Sequence, residues 1–476
     1  MTSDVLPADA VASAAGNAHK PHLEQRPGRL TTFVFFAVLA TGLLFSAYSL
    51  MQDVDDVGSA ITTWTPFLLL GVALLIALGF EFVNGFHDTA NAVATVIYTH
   101  SLPPHFAVVW SGCFNFLGVL LSSGAVAFGI IALLPVELIL QVGSSAGFAM
   151  VFALLIAAIL WNLGTWWLGL PASSSHTLIG SIIGVGVANA LMHGRDGTSG
   201  VSFAHGSNDG QKGMGLIMLI LVGTLPMAYA LNRTMPADQA VQFAAVAEVT
   251  QQALVKSAPQ PAPADPRQVL SDYVRSKQAS PELIPALAAL TGSIGQEVKG
   301  YGAFSRVPAQ AMGNVRNDMY LTSEAIRLMD KDDVGRFDAD TRGKLQAFKR
   351  KIDDATKFIP LWVKIAVAIA LGLGTMVGWK RIVVTVGEKI GKTHLTYAQG
   401  ASAETVAMLT IGAADLYGLP VSTTHVLSSG VAGTMAANGS GLQWKTIRNL
   451  LMAWVLTLPA AILLSASLYW LLTRLF

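Results

Sequence analysis

The chain has 476 residues, 53% of them hydrophobic and only 12% charged, with a mean hydropathy of +0.53; a soluble domain carries about 25% charged residues. The net charge is +1, so no bulk attraction to nucleic acid is expected, and the single cysteine, Cys113, excludes an internal disulfide framework or a cysteine-based metal cage. These numbers rule out a secreted disulfide scaffold, a zinc finger and an ordinary cytosolic enzyme, and they point to one polytopic membrane body.

Residues 1–29 are polar and rich in Ala, Pro and His, and are expected to form a disordered cytoplasmic tail rather than a cleaved signal peptide. The run 31–50 has the roughly 20 apolar residues needed to cross about 30 Å of hydrocarbon and lacks a following small-residue cleavage site. Further apolar runs lie at 64–83, 106–133, 147–168, 174–192, 214–231, 361–379, 400–417, 426–437 and 449–474, the last interrupted by Pro459. Residues 64–192 contain no Lys or Arg, and their only carboxylates are Glu81, Asp88 and Glu137. By contrast, 32 of the chain's 59 charged side chains (30 basic, 29 acidic) fall within 232–359. The resulting division is a tail (1–29), a first transmembrane block (30–192), a short stretch opening a second block (193–231), a polar extramembrane insertion (232–359) and the remainder of the second block (360–476). Lys20, Arg26 and Arg29 before the first run, and Lys380, Arg381, Lys389 and Lys392 after the 361–379 run, place those ends in the cytoplasm by the positive-inside rule. One crossing back puts the insertion outside.

Two features occur twice. Gly85-Phe86-His87-Asp88-Thr89-Ala90-Asn91-Ala92 is echoed by Gly206-Ser207-Asn208-Asp209-Gly210-Gln211-Lys212-Gly213. Gly169-Leu170-Pro171-Ala172-Ser173-Ser174-Ser175-His176 is echoed by Gly418-Leu419-Pro420-Val421-Ser422-Thr423-Thr424-His425. The offsets, 121 and 249 residues, differ by 128, the length of the polar segment 232–359, which was therefore inserted into the second repeat. Paired, interrupted hydrophobic segments in two halves are the sequence mark of a secondary transporter with its site at the midplane. The expected fold is an all-α polytopic membrane protein, an inverted-repeat secondary transporter with broken or re-entrant helices.

The second feature reads as a helix beginning inside the membrane. Pro is favoured at the first helical position and Ser or Thr at the cap, so Pro171 and Pro420 are expected to open the two helices. Their free N–H groups and positive dipole ends form an anion site. Ser173, Ser174, Ser175 and Thr177 add hydroxyl donors, as do Ser422, Thr423 and Thr424. With so few basic residues in the body, a bound oxyanion needs a travelling cation. Asp88 and Asp209 are the natural partners, because an intramembrane carboxylate ordinarily marks an ion path; the bland reading of either is a capping or interhelical aspartate. Asn91 and Asn208 are ligands or helix glue. His176 and His425 are proton carriers or neutral locks of the broken helix, and Glu81 and Glu404 are cation sites or buried packing residues.

These repeated strings resemble the PiT inorganic phosphate transporter family, in its bacterial branch, over about 60–476. The resemblance implies a transporter rather than an enzyme, importing inorganic phosphate as a metal–phosphate complex, with Mg²⁺ or another divalent metal, by proton symport. Na⁺ coupling, another oxyanion such as arsenate or sulfate, and a transporter-derived phosphate sensor are the alternatives. It also implies a homodimer in the inner membrane without a tightly bound cofactor. Carried over by motif, Asp88, Asn91, Asn208 and Asp209 fall on the signature positions, and Ser173–His176 and Ser422–His425 on the hydroxyl–histidine motifs. Glu404 falls on a family glutamate, where the first repeat has Leu155. The chain departs from the family pattern at His87, where Asn is common, and at Lys212, where the second copy would repeat Asn91. The helix expected before the second signature is missing, because His193–Ala204 cannot span a bilayer.

Overall fold

Apolar segments of this length can satisfy their backbone in lipid only by folding as helices, and the computed structural model is built of them. It describes residues 21, 23, 28–57, 65–122, 124, 127–128, 144–192, 209–417 and 421–475, with the side chains at 65, 66, 88, 145, 146, 209, 210 and 309 excepted. Most of the N-terminal tail, the junction 193–208 and Pro420 lie outside the described residues. Among the described residues, six helices are long and apolar enough to cross a membrane. They are α1 (Arg29–Asp55), α2 (Thr65–Tyr98), α3 (Pro104–Leu121), α4 (Ser145–Trp167), α5 (Ser174–Met192) and α17 (Trp444–Leu472). Shorter helices complete the body: α6 (Asp209–Thr224), α7 (Pro226–Tyr229), α13 (Leu361–Thr375), α14 (Trp379–Glu388), α15 (Tyr397–Leu416) and α16 (Thr423–Ala437). The chain is a multi-pass, helical membrane protein.

Several helices stop short of the apolar runs that encode them, each for a local reason. The 214–231 run breaks at Leu225 (φ −129°, ψ 59°), since the residue before Pro226 is pushed out of the helical region. The 361–379 run ends at Thr375, and the chain turns at Gly378, whose φ of +76° favours glycine. The 106–133 run is helical to Leu121, after which Ser122 is extended.

The insertion folds as a helical bundle with its own core. It comprises α8 (Ala237–Ser257), α9 (Pro266–Ser276), α10 (Leu283–Tyr301), α11 (Ala309–Lys331) and α12 (Ala339–Thr356). Phe243, Leu270, Phe304, Met319, Phe348 and Ile352 are wholly or almost wholly buried among them. The Asn232 N–H donates to the Ala355 carbonyl at 2.8 Å, drawing the two ends of the insertion together. The chain then bends by 71° between α12 and α13.

The membrane body holds two packed clusters, and α2 runs through both. At 34 residues this helix is about 51 Å long at 1.5 Å per residue. Its close crossing with α13 depends on Gly85, where a Cβ would lie 2.7 Å from both the Leu371 carbonyl oxygen and the Thr375 nitrogen. Thr89, one turn on, donates to the Thr375 carbonyl at 2.7 Å. On the other side, Gly184 of α5 lets α17 approach so closely that any Cβ would overlap the Ile462 carbonyl.

Candidate functional site

The hydroxyl strings sit where α5 and α16 begin. Ser173 accepts the His176 backbone N–H at 3.2 Å, and Ser422 accepts that of His425 at 3.1 Å. These serines, not the prolines, are the caps: α5 begins at Ser174, three residues after Pro171. The expectation that Pro171 opens the helix is corrected by this hydrogen bond, since a serine cap satisfies an orphan N–H that proline cannot.

The two helix starts meet. Ser175 donates to the Val421 carbonyl at 3.0 Å. The rings of His176 and His425 stack at 4.8 Å with 28° between planes. Trp454 of α17 lies 4.1 Å beyond the His425 ring and donates its indole N–H to the Pro171 carbonyl at 3.0 Å. His176 Nδ1 is 2.8 Å from the Ser173 hydroxyl, while His425 Nε2 is buried without a hydrogen-bond partner among the described residues. Two positive dipole ends and their hydroxyls therefore converge on one region, which suits an anion.

The first signature rides on α2 and divides its residues among three neighbours. Gly85 and Thr89 face α13, as above, and His87 Nε2 is 2.9 Å from the Asn162 carbonyl on α4. Asn91 faces the other half: its Nδ2 donates to Thr424 Oγ1 at 2.9 Å and to Thr423 Oγ1 at 3.3 Å. With the amide N–H groups so engaged, the buried Asn91 Oδ1 is left without a partner among the described residues. Asp88 lies on α2 three residues before Asn91, and Asp209 opens α6; their side chains, and all of Asn208, are outside the described residues.

A cavity of about 570 Å³ adjoins this meeting point, lined by Asn91, Asn115, Gln211, Glu404, Asp415 and Thr423 among others. Thr95 donates to the Glu404 carboxylate. Gln211 Nε2 donates to Asp415 Oδ1 at 3.0 Å, tying α6 to α15. Thus Asn91, Ser173, Ser175, His176, Ser422, Thr423, Thr424 and His425 are brought together, and Glu404 faces the adjoining space. Ser174 is buried in the first turn of α5. Thr177 turns away, donating to Asn162 Oδ1 at 3.1 Å and to the Ser173 carbonyl at 2.9 Å. No group of three or more metal-ligating side chains occurs among the described residues.

The sequence matches the model of the phosphate transporter family over residues 84–199 and 197–465. The chain belongs to this family. It is 41% identical to the low-affinity inorganic phosphate transporter PitA of Escherichia coli K12, a match covering 85% of this chain and 96% of that protein. PitB of the same organism is 39% identical over the same shares. A probable low-affinity inorganic phosphate transporter of Bacillus subtilis is 29% identical, over 86% of this chain and 99% of that one. Among solved structures, one titled the sodium-dependent phosphate transporter aligns with a TM-score of 0.46 and 20% identity, covering 86% of this chain and 100% of that chain. These relatives are named as transporters, none as an enzyme. The two family segments meet at 197–199, within the His193–Ala204 stretch that is too short in sequence to span a bilayer.

Sequence reasoning missed Asp415 and Gln211. Asp415 follows Glu404 by 11 residues, which is three helical turns and returns to the same face. That spacing, with Met408 and Ile411 between, was legible as two carboxylates on one otherwise apolar face of α15.

Proposed function

We propose that the protein imports inorganic phosphate across the cytoplasmic membrane by proton symport, with the phosphate accompanied by a divalent metal such as Mg²⁺. The contact between the two hydroxyl-capped helix starts carries this reading. Their N–H groups and hydroxyls offer a tetrahedral oxyanion neutral donors, and the carboxylates of the adjoining cavity offer its counter-ions a path. The relatives' names supply the substrate; the near-absence of fixed basic groups supplies the need for a co-transported cation. Phosphate binds between the four motifs, Asp88 and Asp209 hold the cation, and rocking of one repeat against the other exposes the site to each face in turn. Glu404 and Asp415, with Gln211 between the halves, lie where a proton would enter or leave. The working form is a homodimer in the inner membrane.

The test is uptake of labelled phosphate into proteoliposomes under an imposed pH gradient, with and without Na⁺ and Mg²⁺. Uptake driven by the pH gradient alone is expected. Uptake that requires Na⁺ would refute proton coupling, and equal competition by sulfate and arsenate would refute the substrate. Asp88→Asn and Asp209→Asn are each expected to abolish uptake at unchanged expression; normal uptake in both would refute the site. Phosphate binding without flux would leave a sensor.

A further inference from the structure

Where the insertion packs against the last turns of α6, a pocket of about 70 Å³ opens. A water needs about 10–15 Å³ of such space, so there is room for one tetrahedral oxyanion. Met218 and Val222 of α6, with Phe128, give the pocket an apolar wall; α11 and the end of α12 contribute Arg316, Ser323 and Lys357. It lies beside the end of α6 at Thr224, where the apolar body gives way to the charged insertion, and it shares no lining residue with the cavity at the helix starts.

Both carboxylates at this pocket are already engaged. Glu324 accepts two N–H groups of Arg327. Asp353 accepts from Lys349 at 2.6 Å, from Lys357 at 2.9 Å and from the Ser323 hydroxyl at 2.9 Å. Four basic side chains thus share two acidic ones, an excess of two positive charges. Arg316 is the one left over. It is half-buried beside the Tyr320 ring, 5.4 Å from its centroid, and its fork of N–H donors makes a single long contact of 3.4 Å to Asn317 Oδ1. No carboxylate pairs with it among the described residues. Burial pushes its pKa below the ordinary value, with only Tyr320 acting to raise it; a guanidinium stays charged all the same. A partly desolvated charge that cannot be given up needs an anionic acceptor, and the planar guanidinium fork matches phosphate oxygens.

We propose that this pocket binds a phosphate group, with Arg316 as its principal ligand and Lys357, whose ammonium has donors left beyond Asp353, as the second. It is a second anion site, separate from the hydroxyl-capped helix starts, at the seam between the insertion and the membrane body. Free inorganic phosphate and the headgroup phosphate of an anionic lipid present the same oxyanion to it.

The test uses the full chain, purified in detergent, stripped of lipid and monodisperse. Labelled inorganic phosphate bound at saturation is counted by equilibrium dialysis for wild type, Arg316→Gln and Arg350→Gln. The last removes an equal charge from an exposed position on α12 that does not line the pocket. Phosphatidylglycerol bound to the same three proteins is counted by native mass spectrometry. If the occupant is free phosphate, wild type and R350Q hold one phosphate more than R316Q. If it is a lipid headgroup, they hold one phosphatidylglycerol more instead. The reading is a difference between variants, so a phosphate held at the helix starts cancels, and failure of the carrier reading lowers all counts without changing the difference. Equal counts of both probes in wild type and R316Q overturn the proposal, as does an equal loss in R350Q. If R316Q is not monodisperse, Lys357→Gln decides: it is expected to weaken binding of the same probe at least about tenfold, and unchanged affinity overturns the proposal.

Discussion

The contact between Asn91 and the start of α16 can be weighed by a double-mutant cycle. Asn91 and Thr424 are both buried, at 9% and 2% exposure. The 2.9 Å bond between them is of ordinary length, and the 3.3 Å bond to Thr423 is longer. A neutral hydrogen bond contributes about 0.5–1.5 kcal/mol net, so Asn91→Ala should cost about 1–2 kcal/mol. Thr424→Val keeps the shape and removes the better acceptor, leaving a buried amide N–H short of its partner at about 1–3 kcal/mol. In the double variant neither orphan remains. Its loss should therefore fall short of the sum by about 1 kcal/mol, whereas independent sites add to within about 0.3–0.5 kcal/mol. Thermal unfolding of the purified protein in one detergent, followed by tryptophan fluorescence, gives the four stabilities. Additive losses would mean that α2 and the α16 start do not touch in the protein, and the crossed arrangement of the two halves would be wrong.

Other outcomes follow from the same geometry. Asp415→Asn should lower phosphate uptake at least tenfold and alter its pH profile, with little change in thermal stability, because the residue lines the cavity and not the packed core. Ser422→Ala should weaken apparent phosphate affinity in uptake assays and cost about 1 kcal/mol of stability through the lost cap. Gly184→Ala should destabilise by about 1–3 kcal/mol through overpacking against α17, read as a lower Tm, whereas Ala at Gly433, which has nothing nearby, should not. In the insertion, burial pushes the Asp353 carboxyl up, but Lys357 and Lys349 outweigh it and hold the group below its usual 3.8. A depressed carboxylate stabilises the fold above its unfolded pKa, and that contribution is lost as pH falls through the lower folded value. Acid unfolding of the bundle below about pH 4 should therefore be less steep in Lys357→Met, as followed by circular dichroism.

Much of this was legible in the chain itself. The helical class and the hydroxyl-rich helix starts follow from hydropathy and from the placement of serine and threonine, because lipid leaves a chain few ways to satisfy its backbone. What the sequence could not assign is which face each signature residue presents, since that is set by neighbours far away in the chain. Gly85, Thr89 and His87 belong to helix packing against α13 and α4, while Asn91, six residues after Gly85, crosses to the opposite half. Pro171 looked like a helix start, and the hydroxyl of Ser173 took that place. The enclosure of Lys212 and the pairing of Gln211 with Asp415 arise only when α6, α2 and α15 are packed together. Local rules of period, cap and hydropathy decide where helices form, but the meeting of two helix starts nearly 250 residues apart is a property of the assembled packing.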